Sequence, residues 1–305
     1  METFLSWPEE LAAASPDALH WRHAGSNICL DFHGDPLLAK LAVFSDGNHH
    51  MALQETAQRF MQQHPDITDI FYATTPPGIL VNGLQQGGIY LGNLKLSRLP
   101  DIFISPLSVM EKLRDTSSVN DFQPFMQSRG NVLLVRRDNP KNITGITDVL
   151  REDVRLFISN PKTEKASFDV YHNTMVGLLQ EAGIDREHLD NKLDVTSSTV
   201  MFGESIHHRE APQALYAGHA DVAMVYYHLA LRYTRIFADY FDFIPLGGGK
   251  ESPKPAPANI TTTYYAGIVN NGGQWGQRFM EFLFSDEVTQ IYASHGLCEP
   301  VSEVT

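Results

Sequence analysis

Five stretches of the chain end an apolar run in small hydroxyl, amide or imidazole side chains. After "AVF" come Ser45, Gly47, Asn48 and His49, and after "IFYA" come Thr74, Thr75, Pro76, Pro77 and Gly78. After "DIFI" comes Ser105, after "LFIS" come Asn160, Pro161, Thr163 and Ser167, and after "AMV" come Tyr226, Tyr227 and His228. Hydroxyls and backbone N–H groups at a helix start can hold an anion without lysine or arginine. The first-turn donors there are unpaired and the helix start carries partial positive charge. One such cluster is an ordinary helix cap worth about 1 kcal/mol. Five at the same structural stage, one of them the stiff "TTPPG", point to a shared ligand.

Other chemistries find less support. The 13 histidines include the pairs His49–His50 and His207–His208. Adjacent side chains point in different directions, so neither pair chelates a metal alone. His49 and His228 come from separate loops and are candidates to converge, but solvated or capping histidines are the plainer account, and the expectation is no metal and no cofactor. GxSxG, HExxH, GxxxxGKS and GxGxxG are absent, and no pair of carboxylates declares acid/base roles. The sequence therefore reads as a binder rather than an enzyme.

The elements that must position these groups alternate. "LAVF" is a buried strand, and the helix after it carries Leu53, Ala57, Phe60 and Met61 on one face. "ITDIFYAT" is a strand, "ILVNGLQQGG" a helix closed by glycines, and "DIFIS" a strand leading into the proline-initiated helix "PLSVMEKL". "NVLLVRR" is a strand, followed by a helix striped with Phe168, Tyr171, Met175, Leu178, Leu179 and Ala182. "ADVAMVYY" and "ITTTYYAGIVN" are further strands, and two helices close the chain. This rhythm predicts an α/β fold of mainly parallel sheets flanked by helices, with ligands beyond the carboxyl ends of the strands.

Bulk properties narrow the class. At 305 residues and 43% hydrophobic, the chain suits two lobes. A net charge of 23 − 36 = −13 argues against nucleic acid or an anionic membrane as partner. No run of 18 apolar residues exists, so no membrane insertion is expected. The N-terminus lacks a signal-peptide pattern, which predicts a cytoplasmic location as the chain stands, or a periplasmic one if a signal was removed upstream. Residues 1–40 read as an N-terminal extension. Cys29 and Cys298 fit no zinc pattern, and a single disulfide between them is one alternative.

Several segments together resemble a known family. "LAVFSDGNHHMALQETAQRF", "ILVNGLQQGG...LPDIFIS", "NVLLVRRDNPKNITGITDVLREDVRLFISNPKTEKASF", "ALYAGHADVAMVYY" and "FMEFLFSDEVTQIYASHGL" are similar, in order, to bacterial solute-binding proteins of the molybdate/tungstate type, within the type II periplasmic-binding-protein fold. The resemblance covers roughly 41–305. It implies two lobes joined by crossing strands, lobe one from 41–127 and 243–305 and lobe two from 128–242. It also implies a tetrahedral oxyanion held by serine hydroxyls and backbone amides. By position, the first-loop serine falls on Asn48, the second near Pro77 or Gly78 with Thr74 and Thr75 just before, the second-lobe loop on Lys165 to Ser167, and the contributing tyrosine on Tyr226. Asn48 and "TTPPG" depart from the family's serines, so an organic acid or a metal–chelate species stands beside molybdate, tungstate and sulfate as ligand. The implied partner is an ABC permease or a regulator. The alternatives are an enzyme on the same fold using His49, Tyr226 and His228, and an effector domain.

Overall fold

The computed structural model of the chain describes residues 31–301 apart from 117, 195 and 205. Most of the expected extension, and Cys29 with its question of pairing, lie outside the described residues. The chain begins β1 (Phe32–His33), β2 (Leu41–Ser45), α1 (His50–Gln63), β3 (Ile70–Ala73), α2 (Pro77–Gln85), a ribbon of β4 (Ile89–Leu91) and β5 (Leu94–Leu96), β6 (Ile102–Pro106), α3 (Leu107–Asp115) and β7 (Val119–Ser128). It continues through β8 (Asn131–Arg136), β9 (Leu156–Ile158), α4 (Lys165–Glu181), α5 (Arg186–Lys192), β10 (Val200–Phe202), α6 (His207–Tyr216), β11 (Val222–Tyr226), α7 (Tyr227–Ile236) and β12 (Phe241–Pro245). A second ribbon, β13 (Gly248–Gly249) with β14 (Ser252–Pro253), precedes β15 (Thr263–Val269), α8 (Gly276–Leu283), α9 (Asp286–Ser294) and β16 (Leu297–Cys298).

These strands make two principal sheets. One has the order β1-β3-β2-β6-β15-β7-β16, the other β10-β9-β11-β8-β12. β2 is buried along its whole length, and its residues alternate between two cores. Leu41 and Val43 face the side covered by α1, α8 and α9, while Ala42 and Phe44 face the side covered by α2 and α3. A strand buried on both faces reads as a continuous apolar run, which is how "LAVF" reads. The second sheet has its own core, with Leu133, Val135, Leu156, Ile158, Met175 and Met224 among its buried side chains.

The sheets are mixed rather than mainly parallel. β3, β2 and β6 run parallel, as do β10, β9 and β11. The strands that carry the chain between sheets, β7, β8, β12 and β15, pair antiparallel with their neighbours. Helical crossovers dictate the parallel part; the direct β7-to-β8 passage reverses direction and dictates the rest.

That passage is tight. Gly130 has φ +78°, and a Cβ there would meet Asn259 Oδ1 at 2.9 Å. Asn259 belongs to the return segment between the sheets and ties both crossings together. Its Oδ1 accepts from the Asn131 N–H at 2.8 Å, and its Nδ2 donates to the carbonyls of Asn131 and Leu246, both at 2.9 Å. The Asn131 side chain donates in turn to Thr174 Oγ1 at 2.9 Å. No helix among the described residues is long and apolar enough to cross a membrane.

Candidate functional site

Between the sheets lies a cleft of about 640 Å³. From the first sheet it is reached by the loop after β2 and the starts of α2 and α3, and from the second by the start of α4 and the end of β11. Its lining includes Gly47, Asn48, Pro77, Gly78, Thr163, Lys165, Ser167 and Tyr226. These eight of the fifteen residues singled out from the sequence meet in one place, because each follows a strand at its carboxyl end.

The helix starts at the cleft are open. The residues preceding α2 and α3 are Pro76 and Pro106, and the one preceding α4 is Glu164; none makes a side-chain cap. A proline in that place has no side-chain acceptor to offer the first-turn amides, so those amides stay available. In contrast, Asp46 caps the 3-10 turn Gly47–His49, its carboxylate accepting from the Asn48 N–H at 3.0 Å. Gly47 is required by close approach: a Cβ there would meet His208 Cε1 of the second lobe at 2.7 Å. Tyr226, 2% exposed, shares a hydrogen bond with Thr262 Oγ1 at 3.1 Å. Ser167 donates to Ser159 Oγ at 3.0 Å, and Lys165 pairs with Asp169 at 2.5 Å.

The other seven lie behind the cleft wall. Ser45 Oγ is 3.1 Å from His49 Nε2, and His49 Nδ1 is 3.2 Å from the Tyr292 hydroxyl, so both side chains are engaged with the body of the first lobe. Thr74 approaches Asp31, while Thr75 and Ser105 are fully buried and their hydroxyls have no hydrogen-bond partner. Tyr227 turns away to pack on Phe243 beneath the Arg129 guanidinium. His228 stacks on Tyr226 with ring centroids 5.3 Å apart and feels the Asn48 backbone across the cleft wall. Burial pushes both His49 and His228 down to about 3, which leaves them neutral. They face the same Tyr264 ring, at 4.8 and 6.5 Å. Among the described residues no three His, Cys, Asp or Glu side chains are grouped to hold a metal ion.

The cleft also holds residues that sequence reasoning passed over: Asp46, Ser108, Lys112, Glu164, His208 and Thr262. Burial, partly offset by the His207 N–H that donates to it at 3.0 Å, pushes the Glu164 carboxyl up to about 8, and the negative charges of Glu210 and Asp46 add to the rise. Asp46 is raised as well, by burial. Beside the cleft, Asp31 of the first lobe is fully buried against the second. It accepts from Arg209 Nη2 at 2.9 Å and lies 3.6 Å from His208 Nε2.

The chain shares its fold with solved binding proteins. The periplasmic molybdate-binding protein of Azotobacter vinelandii superposes with a TM-score of 0.60 at 15% identity, covering 86% of this chain and 100% of the other. The sulfate-binding protein SubI of Mycobacterium tuberculosis H37Rv gives 0.64 at 15% identity, covering 86% and 87%. Iron-bound HitA of Pseudomonas aeruginosa gives 0.56 at 12% identity, covering 83% of each. No curated protein matches the chain by sequence. The family model of the bacterial extracellular solute-binding proteins matches residues 41–297, a span that holds every cleft residue named above and both sheets apart from β1 and Cys298. The chain belongs to that family, and its two-lobed α/β fold is a solute binder's fold.

Proposed function

We propose that the interlobe cleft binds a small anion, an oxyanion such as molybdate, tungstate or sulfate or an organic acid, and delivers it to an ABC-type permease. The observation that carries this reading is the set of uncapped helix starts at Pro77, Leu107 and Lys165, which bring open backbone amides to one cleft from both lobes. Lys112, Lys162 and Lys165 on the rim favour the same sign of ligand. The ligand contacts assigned to this chain are the eight lining residues above, with Ser45, His49, Thr74, Thr75, Ser105, Tyr227 and His228 supporting them from behind.

The lobes meet at two crossings, one between Ser128 and Asn131 and the other between Pro245 and Thr263. The second lies beyond 243, because Phe241–Pro245 pairs with β8 in the second sheet. Closure would bend these crossings. The enzyme alternative rested on His49, Tyr226 and His228. Two of the three are neutral, buried and outside the cleft lining, so we read the chain as a binder and not a catalyst. The family is described as extracellular, which favours the outer side of the cytoplasmic membrane over the cytoplasm.

Calorimetry and thermal melts on protein stripped by unfolding and refolding test the reading, with molybdate, tungstate, sulfate and a series of carboxylates as titrants. At least one should raise the melting temperature. Gly78→Trp should abolish the rise, since a side chain at Gly78 meets no protein atom within 4 Å and would fill the cleft. No stabilisation by any titrant would refute the reading.

A further inference from the structure

The cleft contains an arrangement that a spherical dianion does not need. Two carboxyls also line the cleft, Asp46 from the first lobe in the turn after β2 and Glu164 from the second, directly ahead of α4. Asp46 is 5% exposed, and its negative charge adds to the rise of the Glu164 carboxyl. Among the described residues neither forms an ion pair with lysine or arginine; the lysines of the cleft, Lys112, Lys162 and Lys165, are exposed at its rim. His208, 5% exposed and also lining the cleft, has its Nε2 3.6 Å from Asp31 Oδ1. The two acids together disfavour ionisation of Glu164, so a fully ionised oxyanion seated against them would hold the pair in its protonated form, while a cation would draw it to the charged form.

Much of the remaining lining is apolar, formed by Pro76, Pro77, Val81, Pro106, Val109 and Val170. A tetrahedral oxyanion has no apolar surface to place there. The cleft volume of about 640 Å³ falls within the roughly 300–1,000 Å³ usual for organic ligands. An oxyanion of five heavy atoms occupies only a few times the ~30 Å³ share of a water molecule.

Building on the reading of this cleft as an anion site, we propose that it takes a small zwitterionic organic acid with an apolar body. The carboxylate lies at the open starts of α2 and α3, the ammonium lies between Asp46 and Glu164, and the carbon skeleton lies against the prolines and valines of the lining. Neither carboxyl pairs with lysine or arginine among the described residues, and the ammonium brings positive charge beside both. Each pole then selects for one end of the ligand, and a molecule with only one of the two charges leaves the other pole unpaired.

Calorimetric titration of the stripped protein with matched pairs tests this: L-leucine against 4-methylpentanoate, L-valine against 3-methylbutanoate, and L-phenylalanine against 3-phenylpropanoate, with sodium sulfate and sodium molybdate alongside. At least one amino acid should bind, and its partner without the amine should bind roughly tenfold or more weakly. Glu164→Gln and Asp46→Asn keep the acceptors for the His207 and Asn48 N–H groups and should each weaken the amino acid about tenfold, while leaving the partner without the amine unchanged. Equal affinity for both members of every pair, or binding of sulfate or molybdate alone, overturns the zwitterion and leaves the anion cleft standing. Binding of no probe at all overturns both.

Discussion

Glu164 shows how much one side chain says about the site. In the unfolded chain it titrates near 4.5, and in the fold near 8. Below 4.5 both states hold the proton and the group contributes nothing to stability. Between about 4.5 and about 8 the folded state keeps a proton that the unfolded state has lost. Stability therefore falls as pH rises through that window and is level above it. The groups facing Glu164 are the Glu210 and Asp46 carboxyls, which oppose its ionisation, and the His207 N–H, which favours it. Glu164→Gln should raise the melting temperature of the unliganded protein by a few degrees at pH 8.5, with the gain shrinking toward zero near pH 4.5. Thermal melts by circular dichroism across that range check it, and a gain of equal size at both ends would exclude the proton as its cause. Asp31 has the opposite character. Burial alone would raise its carboxyl, but His208 and Arg209 outweigh burial and hold it below the usual carboxylate range. Asp31→Ala removes a fully buried charge from a contact between the lobes and should cost about 3–5 kcal/mol, read by urea denaturation.

At the scale of elements, the crossings are where polar groups do structural work. Asn259 makes hydrogen bonds to Asn131 at one crossing and to Leu246 at the other. Asn259→Ala leaves the buried Asn131 N–H without its partner and removes one donor from the carbonyls of Asn131 and Leu246, the latter keeping the Ala256 N–H at 3.1 Å, and should cost roughly 1–3 kcal/mol in urea denaturation. A loss below 0.5 kcal/mol would mean that the crossings are held by their strands alone. The elements built on apolar runs were legible: β2, β3, β6, β8, β11 and β15, and the striped helices α1, α4, α8 and α9. Others were hidden for physical reasons. β7 reads "VNDFQPFMQS", with Pro124 and alternating polar residues, and only pairing with β15 and β16 makes it a strand. α6 begins at His207 and carries Pro212 inside it, so it looks broken in sequence. α7 starts directly at the end of β11, and the apolar run "ADVAMVYY" conceals the boundary. The strand-end rule located Gly47, Asn48, Pro77, Gly78 and Tyr226, because it depends only on local order. Asp46 and Glu164 were passed over because a carboxylate ahead of a helix reads as a cap. His208 enters the cleft only through the approach of the second lobe to Gly47, which no local pattern encodes.

The whole molecule is asymmetric in how its two halves are wired. The five strands of the second sheet run from β8 to β12 without interruption, and the buried core around them is drawn from residues 132–246. The first sheet is assembled from both ends of the chain. β15 lies between β6 and β7 and is hydrogen-bonded to both, and β16 covers the outer edge of β7. Without residues 263–298, β6 would present an open edge, β7 would have no partner, and α1 would lose Phe279 and Tyr292 from its buried face. Fragment 129–246 should therefore fold alone, giving a dispersed amide spectrum and a cooperative urea transition. It should be weaker than the intact protein, because Asn131 and Leu246 lose Asn259. Fragment 31–128 should give neither. Among the described residues the halves are linked covalently through the short turn at 129–130 and the return segment 246–262, so any motion of one half against the other would bend those crossings and not the cores. Cooperative folding of 31–128 by itself would show that the first lobe does not need its C-terminal strands, and the account of the crossings as the molecule's sole joints would fall with it.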